Sequence, residues 1–389
     1  MLAILVSFPQ LSETIYAPSL PELAKYFQTS ENLMEQSLSI YFLGFALGVF
    51  IFGRLSDLYG RKISMMLGIL IYTLASAGCF YAVNINLFLA LRFIQGFGAS
   101  VGSVVTQVIL RDTFLGEERA RVFAKLGAIL AFAPALGPFI GVRISSWFSP
   151  MASFMFLFIM GILLLLASSA RLKETLVSVK PINIKDLSLR MFKDKHIWLC
   201  GFLIAAHNGI IFSLHAEAPF ILMELLGMKP SHYAFFGLSL AIPFIVASMV
   251  NSRLLKTMTP YQLNALGALL MLLSLGFLVM ILPYKNAISI EMMRMIFLTF
   301  ISFTMLGIGI SLPNCLSFSL KNYQDAIGSA QAIFGLMYYF MLGGFLTIMG
   351  IVHNGSMWPL PLYFLALALS IFFVSLKLLG SRLLIKVKL

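Results

Sequence analysis

Two residues set where water is scarce could do this chain's chemistry. Glu13 lies in an apolar run that starts at Met1, with no base near it in sequence. At the helical rise it sits about 18 Å from the chain start. An ionised carboxylate at that depth is costly, so it must either pair with a cation or take up a proton. Arg92 stands in another apolar run as Arg-Phe-Ile-Gln-Gly, with Gln95 three residues on and so on the same helix face. Ala99, Ser103 and Thr106 extend that face with small or polar groups. An Arg inside a span costs about 3 kcal/mol or more unless it faces a cavity or a partner. A carboxyl whose hold on a proton depends on conformation and ligand is what proton exchange requires. Two plainer readings compete with this one. Glu13 could be an interfacial acid in outer water, and Arg92 could snorkel to the interface.

Other polar groups offer less. Gly53-Arg54-Leu55-Ser56-Asp57-Leu58-Tyr59-Gly60-Arg61-Lys62 falls between two apolar runs and reads as a tight loop. Gly53 and Gly60 permit sharp turns, and Arg54, Arg61 and Lys62 hold the loop on the positive side of a membrane. Asp57, an acid among bases, should have a partner. His207 and His215 stand near Asn208 and Glu217 but two turns apart, too far for one metal without outside ligands. No metal site is expected from them, and cavity lining or helix packing suits them better. Tyr16, Tyr41, Tyr338 and Tyr339 could line an aromatic cavity or anchor at the interface. Cys79, Cys200 and Cys315 give no disulfide framework and no Cys-x-x-Cys pair. No phosphate loop, zinc signature or nucleophile elbow occurs, so an enzyme is not expected.

The elements that must position these residues are membrane helices. Of 389 residues, 60% are hydrophobic and 11% charged, and the mean hydropathy is +0.95. Soluble proteins carry about 25% charged residues, so most of this surface faces something other than water. Apolar runs long enough to span fall at about 2–18, 34–53, 63–83, 86–110, 121–146, 151–171, 196–218, 231–252, 261–283, 290–313, 325–351 and 357–379. That is an all-α integral membrane fold of twelve transmembrane helices. The first run has no basic segment ahead of it and no cleavage site behind it, and reads as a span rather than a signal peptide. The longest polar stretch, Arg171 to Lys195, divides a six-helix bundle at 1–171 from a second at 196–389, with a linker at 172–195. Asn251-Ser252-Arg253-Leu254 after the eighth run echoes Gly53-Arg54-Leu55 after the second.

The net charge of +12 describes topology, not nucleic-acid binding. With both termini on one side, the 27 Lys and Arg fall on that side except Lys25, Arg143, Lys229, Lys285, Arg294 and the embedded Arg92. The positive-inside rule makes that side cytoplasmic.

Several stretches together resemble the major facilitator superfamily. The loop is similar to its signature, roughly G-x-L-x-D-x-x-G-R-K, at Gly53, Leu55, Asp57, Gly60, Arg61 and Lys62, with Leu58 where the family usually has a base. Arg92-x-x-Gln95-Gly96 resembles its second motif, which the resemblance links to proton coupling. Pro134-Ala135-Leu136-Gly137-Pro138-Phe139-Ile140-Gly141 resembles the G-P-x-x-G stretch of exporters in the antiporter branch, with Ala133 and Val142 at two of its glycines. Thr14-Ile15-Tyr16-Ala17-Pro18-Ser19-Leu20-Pro21 resembles a D-x-Y-x-P-x-L-P-like run of related drug transporters. Here the acid stands one place earlier, at Glu13, a turn of about 100° around the helix. Ala218 to Leu222, Pro313-Asn314 and Gly328 to Gly335 resemble the bicyclomycin-resistance (Bcr/CflA) group.

The resemblance implies a multi-pass transporter of the bacterial inner membrane, both termini cytoplasmic, with two halves rocking around a central site. It implies multidrug efflux of small amphipathic molecules, driven by the proton gradient with no other cofactor. The partners expected are the substrate, protons and the lipid bilayer, with no nucleic acid and a monomeric state. Glu13 and Arg92 are expected to couple protons, and Tyr16, Gln95, Ser103, Asn208 and Gln331 to line the cavity. Gly53, Asp57, Gly60, Arg61, Lys62 and Arg111 are expected to latch one face, Asp57 meeting Arg111 and the start of the eleventh span. Pro134, Gly137, Pro138 and Gly141 are expected to bend a helix and let a neighbour approach. One alternative is dedicated export of a single endogenous metabolite such as a siderophore. Another is a membrane sensor that moves nothing, though such proteins usually append a soluble signalling domain and no loop or tail here is long enough.

Overall fold

In lipid a lone segment satisfies its backbone only as a helix, and every regular element among the described residues is helical. The computed structural model describes residues 1–114, 136–176 and 184–387, with side chains described except at 324–326, 328 and 381–387. The N-terminal half holds α1 (Leu2–Thr14), α2 (Leu20–Tyr26), α3 (Glu31–Tyr59), α4 (Arg61–Phe80), α5 (Ile85–Thr113), α6 (described over 136–147) and α7 (Ala152–Arg171). The C-terminal half holds α8 (Ile184–Lys193), α9 (Lys195–Ala218), α10 (Pro230–Tyr233), α11 (Phe236–Leu254), α12 (Pro260–Ile281), α13 (Ile290–Ser319), α14 (Ile327–Val352) and α15 (Pro359–Val387).

Local sequence explains where these helices begin. The Ser30, Asn84 and Ser289 side chains accept from the backbone N–H groups of Leu33, Leu87 and Met292, opening α3, α5 and α13. Thr259 and Gln262 cap α12 reciprocally. The first run breaks after Thr14, because Pro18 has no N–H to donate to the Thr14 carbonyl four residues back; a single turn, Ala17–Ser19, then leads into α2. Ten helices among the described residues are long and apolar enough to cross a membrane. The first of the twelve expected runs is the 13-residue α1, and the fifth is described only over α6. Large apolar side chains such as Leu74, Leu163, Leu166, Met280 and Phe340 stand more than half exposed, as lipid-facing residues do.

The expected linker contains a helix of its own. Leu187 and Met191, four residues apart, bury one side of α8, while Leu189 and Phe192 remain exposed. Buried apolar residues form two large clusters, one chiefly from 5–172 and the other chiefly from 187–378. Between them, α3 packs on α14 and more lightly on α9. Because the helices alternate in direction, the start of α1, the α3–α4 loop and the start of α9 share one face, called here the basic face. The starts of α3 and α5 and the end of α14 share the opposite, far face.

Candidate functional site

A cavity of about 480 Å³ lies between the halves. Its polar wall is Gln10 and Glu13 of α1, Ser103, Gln107 and Arg111 of α5, Asn208 of α9 and Gln331 of α14. Its aromatic wall is Phe42, Phe45, Phe212, Phe334, Tyr338 and Tyr339. Such a volume suits a small organic molecule, and such a lining suits one with both polar and apolar parts. At one end the wall reaches Leu320 and Ile327, at the basic-face ends of α13 and α14.

Glu13 occupies the last turn of α1, beside the break in that helix. It is 3% exposed, opens onto the cavity, and its Oε2 has no hydrogen-bond partner. The interfacial reading therefore does not hold. Among the described residues no cation lies within ion-pair distance of it, and the positive charge whose field reaches it is that of Arg92. Close packing fixes this end of α1. A Cβ on Gly137 would fall 1.9 Å from Thr14 Oγ1, and one on Gly141 would fall 1.8 Å from the Ile15 carbonyl oxygen. These two glycines let α6 lie directly on the segment that carries Glu13. Pro138 is in the described part of α6, whereas Pro134 lies outside the described residues.

Arg92 is 0% exposed, two turns into α5, which removes the snorkelling alternative. Its guanidinium carbon sits 4.3 Å from the ring centre of Tyr16, 4.4 Å from that of Tyr41 and 5.8 Å from that of Phe154. Nη1 donates to Gln95 Oε1, and Gln95 Nε2 donates to Ser76 Oγ at 2.7 Å. The Tyr16 hydroxyl is in turn hydrogen-bonded to Ser37 Oγ at 3.0 Å. Tyr16 and Gln95, expected on the cavity wall, instead enclose Arg92. The spacing of three that aligns Arg92 with Gln95 also turns both toward Ser76 of α4. Ser103, Asn208 and Gln331 do line the cavity, as do Tyr338 and Tyr339, while Tyr41 does not. Aromatic faces replace part of the water that a guanidinium loses on burial.

On the basic face, Gly60 has φ +101°, and a Cβ there would fall 2.4 Å from Glu174 Oε2. That carboxylate accepts the Arg61 N–H at 2.9 Å and the Lys62 N–H at 3.1 Å, closing the start of α4. Partial burial works against its charge, but backbone N–H groups of Leu176, Arg61, Lys62 and Thr175 outweigh that and hold Glu174 below the usual carboxylate range. Lys62 Nζ donates to the Ser169 carbonyl at 2.8 Å.

Asp57 does not use Arg111 as its partner. It pairs at 2.7 Å with Arg61, four residues on across the turn at Gly60, and Arg61 Nε also reaches Asp112 Oδ2 at 3.0 Å. Arg111 instead donates to Gln331 Oε1 on α14, and Gln331 Nε2 donates to Gln107. Among the described residues, Arg111 and Gln107 of α5 thus both reach Gln331 across the halves at this end, while Asp57 pairs within its own half. Gly53 marks a second approach of the halves, since a Cβ there would lie 3.1 Å from Ala332 Cβ.

The far face is tied shut by residues that spacing did not single out. Asn32 Nδ2 donates to the His353 carbonyl at 2.7 Å, Gln36 Nε2 to that of Thr347 at 3.1 Å, and Ser39 Oγ to that of Gly343 at 2.8 Å. Lys25 pairs with Glu224 at 2.8 Å. His353 Nε2 lies 2.9 Å from Glu31, and its Nδ1 lies 3.0 Å from Glu217 and 3.1 Å from Glu35. The signals for this cluster were two acids four apart at the head of α3 and a lone His just past α14. His207 and His215 bond their own helix, to the carbonyls of Leu203 at 2.6 Å and Ile211 at 2.8 Å, and neither lines this cavity.

Comparison with known proteins agrees with this architecture. The sequence profile of the Major Facilitator Superfamily matches residues 2–348. An "Uncharacterized transporter" of Rickettsia bellii is 32% identical over 382 residues, covering 95% of this chain and 93% of the relative. A "Chloramphenicol resistance protein" of Pseudomonas aeruginosa is 27% identical over 374 residues, covering 92% and 85%. A crystal structure of a D-xylose–proton symporter superposes with a TM-score of 0.75, covering 95% of this chain and 96% of that one, at 15% identity, a likeness of fold alone. The chain belongs to the Major Facilitator Superfamily, a family of membrane transporters and not of enzymes.

Proposed function

We propose that this transporter exports small amphipathic molecules across the bacterial inner membrane in exchange for protons, as multidrug exporters resembling the Bcr/CflA group do. The observation that carries the reading is Glu13, a buried carboxyl in the wall of a half-polar, half-aromatic cavity, with the unscreened charge of Arg92 behind it. The chloramphenicol-resistance relative supports a drug-like substrate.

The mechanism is alternating access with the basic face in the cytoplasm. With the far face closed, substrate enters from the basic face and lies against Phe42, Phe212 and Tyr339. A cationic or hydrogen-bonding substrate that reaches Glu13 takes the place of its proton, which leaves to the basic face. Rocking breaks the Asn32, Gln36 and Ser39 bonds and opens the far face. There a proton neutralises Glu13, substrate leaves, and the halves return. Arg92 acts through its charge from a fixed seat, because Gln95, Tyr16 and Tyr41 hold it in place. The bond from Arg111 to Gln331, formed here together with the closed far face, must part for substrate to enter from the basic face.

Everted vesicles test this with chloramphenicol and a panel of cationic amphipathic dyes. The expected result is uptake driven by an acid interior and abolished by a protonophore. Uptake of nothing across the panel, or uptake that ignores the protonophore, contradicts proton-driven export.

A further inference from the structure

Four ionisable side chains meet where the halves join on the far face. Glu31 and Glu35 come from the first turns of α3, Glu217 from the end of α9, and His353 follows α14. Glu35, Glu217 and His353 are 4%, 2% and 6% exposed, and one oxygen of each carboxylate lies within 4.8 Å of the other and of the ring nitrogen. The imidazole has two N–H groups at most. One faces Glu31 Oε2 at 2.9 Å, and the other faces both oxygens of Glu217 at 3.0 Å and Oε1 of Glu35 at 3.1 Å. Neither oxygen of Glu35 accepts a hydrogen bond.

Charge cannot balance here as drawn. One imidazolium leaves the two buried carboxylates, Glu35 and Glu217, one charge in excess, and Glu31, with its side chain 35% exposed, adds a second at the rim. Of the neighbouring groups, Lys25 on α2 is paired with Glu224, and Glu22 adds only negative charge. Among the described residues no Lys or Arg lies within 4.0 Å of Glu31, Glu35 or Glu217. Burial opposes the charge on His353, but Glu217 and Glu35 outweigh it and push the imidazole up to about 11. Its charge is therefore lost only as pH rises past that value, so it stays constant between about pH 5 and about pH 9. Two carboxyls this close relax by sharing one proton.

We propose that Glu35 and Glu217 form a second proton-binding site, at the far gate, and that the proton they share holds the two halves together there. With it, Glu35 donates to Glu217 and the cluster keeps one excess charge. Without it, two carboxylates oppose each other across the join and force the halves apart. The site is separate from Glu13 and independent of which substrate is carried, so its test needs no transport.

The test places spin labels by Val83→Cys and Tyr284→Cys, exposed far-face positions in opposite halves, in lipid nanodiscs without substrate. Pulsed dipolar spectroscopy then follows their separation from about pH 5 to about pH 9. A short distance at low pH giving way to a longer one at high pH supports the gate. Glu35→Gln and, separately, Glu217→Gln should stay short throughout, because each removes the repelling charge. A wild-type distance that ignores pH overturns the proposal, as does either Gln variant opening with the wild-type midpoint. A wild-type gate that opens with EDTA at pH 5 and closes again with added Zn²⁺ also overturns it, since the bound cation would then be a metal.

Discussion

The guanidinium of Arg92 lies 4.3 Å from the ring centre of Tyr16, so a residue next to the break after α1 roofs a charge carried by α5. This ties the segment bearing Glu13 to the cation whose charge reaches it. Each such contact is worth about 0.5–2 kcal/mol, depending on how dry it is. Tyr16→Leu and Tyr41→Leu should each lower the melting temperature in detergent and cut transport several-fold. Tyr16→Phe should do neither, apart from losing the bond to Ser37. Arg92→Lys should behave like the Leu variants, because an ammonium lacks the planar face that lies between the rings. Full activity in Arg92→Lys would show that charge alone suffices.

The glycines of α6 give a steric prediction. Gly141→Ala sets a methyl against the Ile15 carbonyl and should displace the end of α1, reducing transport about tenfold or more while the protein still inserts. Gly276→Ala and Gly344→Ala meet nothing within 4 Å and serve as controls that should transport normally. Equal losses at all three positions would mean that general helix packing, and not the seat of Glu13, is being measured.

The loop on the basic face predicts a pH effect. Glu174 has a folded value below its ordinary one, so its contribution is present above about pH 4.3 and is lost as pH falls through the lower folded value. Amide exchange at Arg61 and Lys62 should stay slow at pH 6 and become fast in acid, after correction for intrinsic rates. Glu174→Gln should make both amides fast at every pH. Gly60→Ala should disturb the same amides, since φ +101° strains any L side chain and its methyl would press on Glu174. Protection that Glu174→Gln leaves intact would remove this carboxylate from the loop's closure.

Much of this architecture was legible because lipid allows so few solutions. Apolar run length marks the spans, and the basic stretch from Gly53 to Lys62 marks one face, although it is helical apart from the turn at Gly60. An acid and an Arg inside spans stood out as costly, but only the packing decided between burial and the interfacial and snorkelling readings. Direction around a helix was not. A spacing of three puts Arg92 and Gln95 on one side of α5, but nothing local says whether that side faces α1 and the cavity or α4 and Ser76. Asp57 misled for a related reason. The turn at Gly60 brings Arg61, the first residue of α4, back onto Asp57 near the end of α3, and Arg111 crosses instead to Gln331. The far-face cluster joins Glu31 to His353 from opposite halves of the chain. Only the packing of α3 against α14 brings them together, so neither residue alone carried the signal.

The account rests on Glu13 as the group that trades a proton for substrate, and Glu13→Gln in everted vesicles tests it most directly. The variant should still exchange labelled for unlabelled substrate at equal concentrations, because that exchange needs no net proton movement. It should fail to accumulate substrate when the interior is acidified. Accumulation against a gradient at the wild-type level would contradict the account.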